Sequence, residues 1–254
     1  MTDVLQLLFL AILGTLGGVL AGVAGVGGGI VFVPTLVYAA GWDIKEAVAA
    51  SFVIIVFSSL SGTIRNTRSE DPVDWRAAGI FAASVAPASL IGVFVSSVSP
   101  SSVVRVVFAG VLLALAYPTA RGGVGTPEGG RKIPISLVLL AGVGIGTLSG
   151  LVGVGGGVVM VPLMVLGLGL STKRAASTSL AVILFTGLVA SIGYIATGFS
   201  DLLSLPPLVV GSIVGAWLGV RLRDRLPERT IRLGFAGFMV LIALRTLGEA
   251  VGIL

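Results

Sequence analysis

A thirteen-residue stretch recurs with small changes in this chain, and the chemistry it offers lies in its backbone. Gly22 to Pro34 reads GVAGVGGGIVFVP and Gly150 to Pro162 reads GLVGVGGGVVMVP, 128 positions apart and identical at nine of thirteen places. Each copy contains GVGGG: Gly25, Val26, Gly27, Gly28 and Gly29 in the first, Gly153, Val154, Gly155, Gly156 and Gly157 in the second. Without Cβ atoms, successive N–H groups can point the same way, and a helix resuming at Ile30 or Val158 adds the positive end of its dipole. The result is an anion cradle that needs no charged side chain. The other reading is close helix packing, as small residues give in membranes, but three consecutive glycines exceed what small-xxx-small packing asks for.

Hydroxyls follow each block: Ser51 after the first, and Ser177, Thr178 and Ser179 after the second. They could donate to oxyanion oxygens, or bond back to the preceding turn of their own helix. Lys45 and Lys173 open the same segments. They add positive charge near an anion's path, or snorkel to the interface.

The missing residue types exclude more. With no Cys and no His there are no disulfides, thiolate metal sites, haem ligands or imidazole relays. The acids Asp3, Asp43, Glu46, Glu70, Asp71, Asp74, Glu128, Asp201, Asp224, Glu228 and Glu249 all fall in or beside predicted loops or helix ends. No carboxylate is expected at mid-membrane, so coupling would use an interfacial acid, backbone carbonyls or a proton carried by the substrate. No catalytic triad or carboxylate pair sits in the apolar region, so no enzyme activity, metal or cofactor is predicted. GVGGG also lacks the Lys-Ser/Thr ending of a phosphate loop.

The elements that must position these residues are membrane helices. The 254 residues are 56% hydrophobic and 11% charged, with mean hydropathy +1.12, against about 25% charged in a soluble domain. Apolar runs recur from end to end and are continuous rather than alternating, which favours helices over a β-barrel. The N-terminus lacks a basic n-region and reads as the first helix rather than a signal peptide. The net charge of +5 sits in short loops, where it sets orientation and gives no nucleic-acid footprint.

Helical segments are predicted near 4–24, 28–40, 44–65, 75–97 and 101–120, then again near 133–152, 156–169, 172–196, 202–220 and 228–251. Residues 1–120 form a first membrane repeat, 121–132 a Gly, Pro and charge-rich linker, and 133–254 a second repeat. Lys45, Ala47, Ser51 and Phe57 recur as Lys173, Ala175, Ser179 and Phe185; Gly92, Pro100, Arg105 and Phe108 recur as Gly219, Pro227, Arg232 and Phe235.

Loop charges then orient the halves. The loop after the third segment carries Arg65, Arg68 and Arg76, while its counterpart has only Asp201; the loop at Ser96 to Ser102 is uncharged, while its counterpart holds Arg221, Arg223, Arg225 and Arg229. Basic residues prefer the cytoplasm, so the two halves are predicted to be inverted, with the linker containing Arg121, Arg131 and Lys132 inside and both termini outside. The stretch Ile30 to Ala40 is too short to cross a bilayer, so each half holds a glycine-broken helical hairpin plus about three spanning helices. Two inverted breaks would converge near the midplane.

The paired GxxGVGGGxVxVP blocks, the AxxS and ASTS starts of the following helices, VDWR at Val73 to Arg76, and RLPERTIRLGFAGFMVLIALRTL at Arg225 to Leu247 resemble the TauE/SafE family of sulfite exporters over essentially the whole chain. The resemblance implies an inner-membrane carrier that exports small sulfur oxyanions or organosulfonates, such as sulfite or sulfoacetate, on the proton gradient. The expected partners are that anion and membrane lipid, with no nucleic acid, and a homodimer is compatible with the sequence. An uncoupled anion or solute channel is the alternative, and a membrane scaffold a third reading with too little loop to dock a partner.

Overall fold

The computed structural model describes residues 4–24, 28–67, 71–121, 134–199, 205–223 and 226–252. Of the residues named above, Asp3, Gly25, Val26, Gly27, Arg68, Glu70, Glu128, Arg131, Lys132, Asp201, Asp224 and Arg225 lie outside that description. The chain forms ten helices among the described residues, in two runs of five: α1 (Val4–Ala24), α2 (Gly29–Ala40), α3 (Ile44–Asn66), α4 (Trp75–Val98) and α5 (Ser101–Arg121), then α6 (Ile135–Val152), α7 (Gly157–Leu168), α8 (Thr172–Ala196), α9 (Leu205–Arg223) and α10 (Glu228–Val251). No strand is present among them.

Local chemistry sets the boundaries. Asp43 caps α3 by accepting the Lys45 N–H at 2.9 Å, and Ser171 caps α8 at the equivalent place by accepting from Arg174 N–H at 3.2 Å. The short helices α2 and α7 stop at Gly41 (φ 74°) and Gly169 (φ 69°), a left-handed conformation that glycine adopts without a Cβ penalty. Seven helices (α1, α3, α4, α5, α6, α8 and α10) are long and apolar enough to cross a membrane. Helices α2 and α7 have 12 residues each, about 18 Å at 1.5 Å per residue, and do not reach across roughly 30 Å of hydrocarbon. The chain is an all-α, polytopic membrane protein.

Small residues bring the halves together. A Cβ on Gly14, Gly18 or Gly22 of α1 would strike the backbone of α9 at Leu208, Ser212 or Ala216, and Gly211, Gly215 and Gly219 of α9 face Ala11, Thr15 and Val19 in return. The levels rise together, so α1 and α9 run parallel with backbones in contact, the close approach that small residues permit in lipid. The same pattern recurs one repeat on: Gly142, Gly146 and Gly150 of α6 lie against Ser84, Val85 and Ser89 of α4, and Gly92 of α4 faces Thr147 to Leu151. Thus the first helix of each half packs on the fourth helix of the other.

Helices α3 and α8, which are equivalents, run antiparallel. Gly62 meets Leu180, while Gly187 meets Val56 and Phe52. At the start of α5, Arg105 pairs with Glu249 near the end of α10 at 3.6 Å. Equivalent helices meeting head to tail, with crosswise contacts that match under exchange of the halves, are consistent with inverted repeats. Close packing through glycine therefore holds for α1, α4, α6 and α9, and Gly29 of the first GVGGG break packs in the same way on Gly153 and Val154.

Candidate functional site

The second glycine block breaks the helix without leaving the protein interior. Helix α6 ends at Val152, Gly153 (φ 76°) bonds its N–H to the Ser149 carbonyl at 2.8 Å, and Gly155 and Gly156 follow at φ 75° and 72° before α7 starts at Gly157. Three left-handed residues in four places are costly for any residue but glycine. All five residues from Gly153 to Gly157 are buried. In the first block Gly28 takes φ 88° and opens α2, with the Val31 and Phe32 N–H groups both bonded to its carbonyl at 2.9 Å. Of that block, Gly28 and Gly29 are buried, and the Phe32 ring lies between Gly17 and Gly28.

The two blocks touch. A Cβ on Gly29 would run into the Gly153 carbonyl oxygen and come within 2.8 Å of the Val154 backbone. Beside this meeting point, Ile55 and Ile183, equivalent residues of α3 and α8, lie 3.7 and 3.4 Å from where a Cβ on Gly155 would stand. The contact between breaks is therefore backbone against backbone, at the place where the α3–α8 pair is itself crossed.

A helix that stops inside a membrane strands its last carbonyls, and each needs a donor. Tyr194 of α8 donates its hydroxyl to the Gly150 carbonyl at 2.7 Å. Ser51 of α3, fully buried, places its hydroxyl 2.7 Å from the Val48 carbonyl and 3.1 Å from the Gly153 carbonyl. Ser51 thus both bonds back within its own helix and reaches across to the break of the opposite half. On the donor side, α7 makes its first backbone bonds from Val159 and Met160 to the Gly156 carbonyl at 3.1 and 3.0 Å. The N–H groups of Gly157 and Val158 come before that turn, as do those of Gly29 and Ile30 in α2, and helix geometry gives them no intrahelical acceptor. They carry the positive end of the dipole.

The structure brings together Gly28, Gly29, Ser51, Gly153, Val154, Gly155, Gly156 and Gly157. It does not bring Ser177, Thr178 and Ser179 to the same point. With Gly62 of α3 level with Leu180 of α8, Ser179 lies opposite Thr63, about 18 Å along α3 from Ser51. Consecutive residues on a helix also face different ways. Ser177 is buried, and Ser179 bonds to the Ala176 carbonyl at 2.9 Å. Thr178 donates to the Arg174 carbonyl at 2.7 Å and accepts the Asp74 N–H at 3.0 Å, fixing the start of α4. Arg174 completes that junction with an ion pair to Asp74 at 3.5 Å.

The lysines stand away from the breaks. Lys45 opens α3 and donates to the Ser97 carbonyl at 3.3 Å, and Lys173 is exposed at the start of α8. No described carboxylate is buried, and no cluster of metal-ligating side chains occurs among the described residues. A cavity of about 290 Å³ opens between α1, α2 and α10, lined by Leu20, Val23, Val31, Phe235, Phe238 and neighbours, with Thr230 as its polar residue. Sequence reasoning missed Tyr194 and the Ile55–Ile183 pair. A lone tyrosine in an apolar helix was a usable signal, since a buried phenol seeks a partner. The isoleucines have no signal beyond their equivalence.

Comparison with known proteins gives one family and a set of full-length relatives. The family described as sulfite exporter TauE/SafE matches residues 10–246. A probable membrane transporter protein of Bacillus subtilis, YunE, is 28% identical over 97% of this chain and 99% of its own length. Another of Haemophilus influenzae is 28% identical over 94% of this chain and 97% of its own, and one of Methanocaldococcus jannaschii is 24% identical over 94% and 95%. No solved structure matches.

Proposed function

The chain belongs to the sulfite exporter TauE/SafE family and is a multi-pass membrane transporter; from that premise we propose that it exports a small sulfur oxyanion or organosulfonate, sulfite or a sulfoacetate-like acid, through the paired glycine breaks. The observation that carries this reading is the α6–α7 break. It holds three left-handed glycines and a helix N-terminus, buried against Gly29 of the other half.

In this reading the N–H groups at the starts of α2 and α7 bind the anion's oxygens by charge-assisted hydrogen bonds, and the two helix dipoles offset part of the lost hydration. Because the described residues of both breaks are buried, passage requires the Gly29 contact with Gly153 and Val154 to part, first toward one side and then toward the other. One half rocking against the other does this. With no buried carboxylate among the described residues, the proton gradient acts through the proton on the substrate or through an interfacial acid. Arg65, Arg76 and Arg121 mark the cytoplasmic side, which puts both termini outside the inner membrane.

Counterflow of labelled sulfite in proteoliposomes tests the proposal. A carrier gives faster uptake when the vesicles are preloaded with unlabelled sulfite. Uptake that is indifferent to preloading identifies a channel, and no uptake with any sulfur oxyanion or organosulfonate rejects the substrate class.

A further inference from the structure

We propose that Ser149 donates its hydroxyl to an oxygen of the bound anion, making the α7 break the tighter part of the site and favouring oxyanions over halides; this rests on the reading that the glycine breaks bind the anion. Ser149 lies in the last turn of α6, is 2% exposed, and its hydroxyl has no hydrogen-bond partner. Several other buried helical serines of this chain are partnered. Ser59, Ser84, Ser89, Ser179 and Ser212 each bond to a carbonyl three or four residues back, the ordinary recourse of a hydroxyl in an apolar helix. Thr63 on α3, Ser96 on α4 and Ser191 on α8 share the unpartnered state, but Ser149 stands against the break. Its Cβ is 3.8 Å from where a Cβ on Gly156 would lie, and Gly156 is the residue that caps the N-terminus of α7.

Burying a hydroxyl without a partner is unfavourable, and a partner is missing at the place where the N–H groups of Gly157 and Val158 also have no intrahelical acceptor. The oxygens of an oxyanion seated at the start of α7 satisfy all three donors. A spherical halide accepts from the N–H groups as well, but an oxyanion offers several separate oxygens, so a third donor at a different angle discriminates in its favour. The first half cannot match this. Its equivalent of Ser149 is Ala21, whose Cβ sits 3.3 Å from the position of a Cβ on Gly28. The two cradles are therefore alike in backbone and unlike in their side-chain donor.

The test is sulfite counterflow in proteoliposomes of the full chain, comparing wild type with S149A and S149T, with thermal unfolding of each protein measured without anion. Loss of one hydrogen bond to a charged oxygen raises KM for sulfite about tenfold in S149A, with kcat within about twofold and inhibition by chloride unchanged. S149T keeps the hydroxyl and stays close to wild type. The anion-free Tm of S149A is equal to or above that of wild type, because no acceptor in the protein loses a donor. If wild type carries sulfite and S149A has the same KM, or loses kcat together with Tm, the role of Ser149 is overturned while the transport reading stands. If wild type carries no sulfite and its Tm does not respond to sulfite, the transport reading fails and the role of Ser149 falls with it.

Discussion

Replacing Gly155 with alanine separates the backbone's conformational demand from the site's function. Gly155 sits at φ 75°, and the nearest atoms to an added Cβ are Ile183 Cγ2 at 3.4 Å and Ile55 Cδ1 at 3.7 Å, ordinary contact distances. The methyl group therefore fits, and the stability cost is the left-handed backbone alone, about 1–2 kcal/mol. For a chain of this size that is roughly 2–8 °C in Tm. Transport falls further, because Gly155 stands two residues before the start of α7, and the methyl fills the break on its Ile55 and Ile183 side and stiffens the turn that presents the Gly157 and Val158 N–H groups. We expect sulfite counterflow to drop at least about tenfold, the effect of losing one or two charge-assisted hydrogen bonds. Gly169 is the control: it has φ 69° at the end of α7 with nothing within 4 Å of an added Cβ, so Gly169→Ala pays the same backbone cost outside the site. Equal Tm losses with transport lost only in Gly155→Ala fit the account. Equal Tm losses with equal transport refute it.

Three further outcomes follow from named contacts. Tyr194→Phe removes the donor to the Gly150 carbonyl and leaves a buried acceptor unmet, which lowers stability by about 1–3 kcal/mol in denaturation assays. Gly18→Leu and Gly215→Leu each drive a side chain into the facing backbone of the α1–α9 seam; both should fail to give a monodisperse folded protein, whereas Gly79→Leu, with open space beside it, should behave like wild type. The chain has no cysteine, so single cysteines report sidedness directly: Ser99→Cys reacts with an impermeant maleimide from outside intact cells, and Thr67→Cys only after permeabilisation.

Most of the helix plan was legible in the sequence because its signals are local. Runs of apolar residues, caps at Asp43 and Ser171, and terminal glycines at Gly41 and Gly169 fix the elements to within a few residues. The 12-residue arms α2 and α7 match the short segments expected near 28–40 and 156–169 to within one residue at each end. What sequence could not supply is pairing at long range. That Gly29 lies on Gly153 and Val154, and that Ser51 reaches the Gly153 carbonyl, depends on how α3 and α8 cross. The same crossing puts Ser179 a long way from Ser51, although repeat arithmetic makes them equivalent. Equivalence under an inverted repeat means opposite sides of the axis, and only residues near the axis, such as Ile55 and Ile183, can meet. Thr178 donates its hydroxyl to the Arg174 carbonyl one turn back and accepts the Asp74 N–H, the second a bond from a loop whose path the sequence does not reveal.

The central claim is that the anion sits at the glycine breaks, and selenite, a heavier analogue of sulfite, tests it by location. Anomalous diffraction from crystals grown with selenite should place selenium beside the start of α7, its oxygens about 3 Å from the N–H groups of Gly157 and Val158. Selenium found instead at Lys45 or Lys173, or in the cavity between α1, α2 and α10, with none at the breaks, would contradict it.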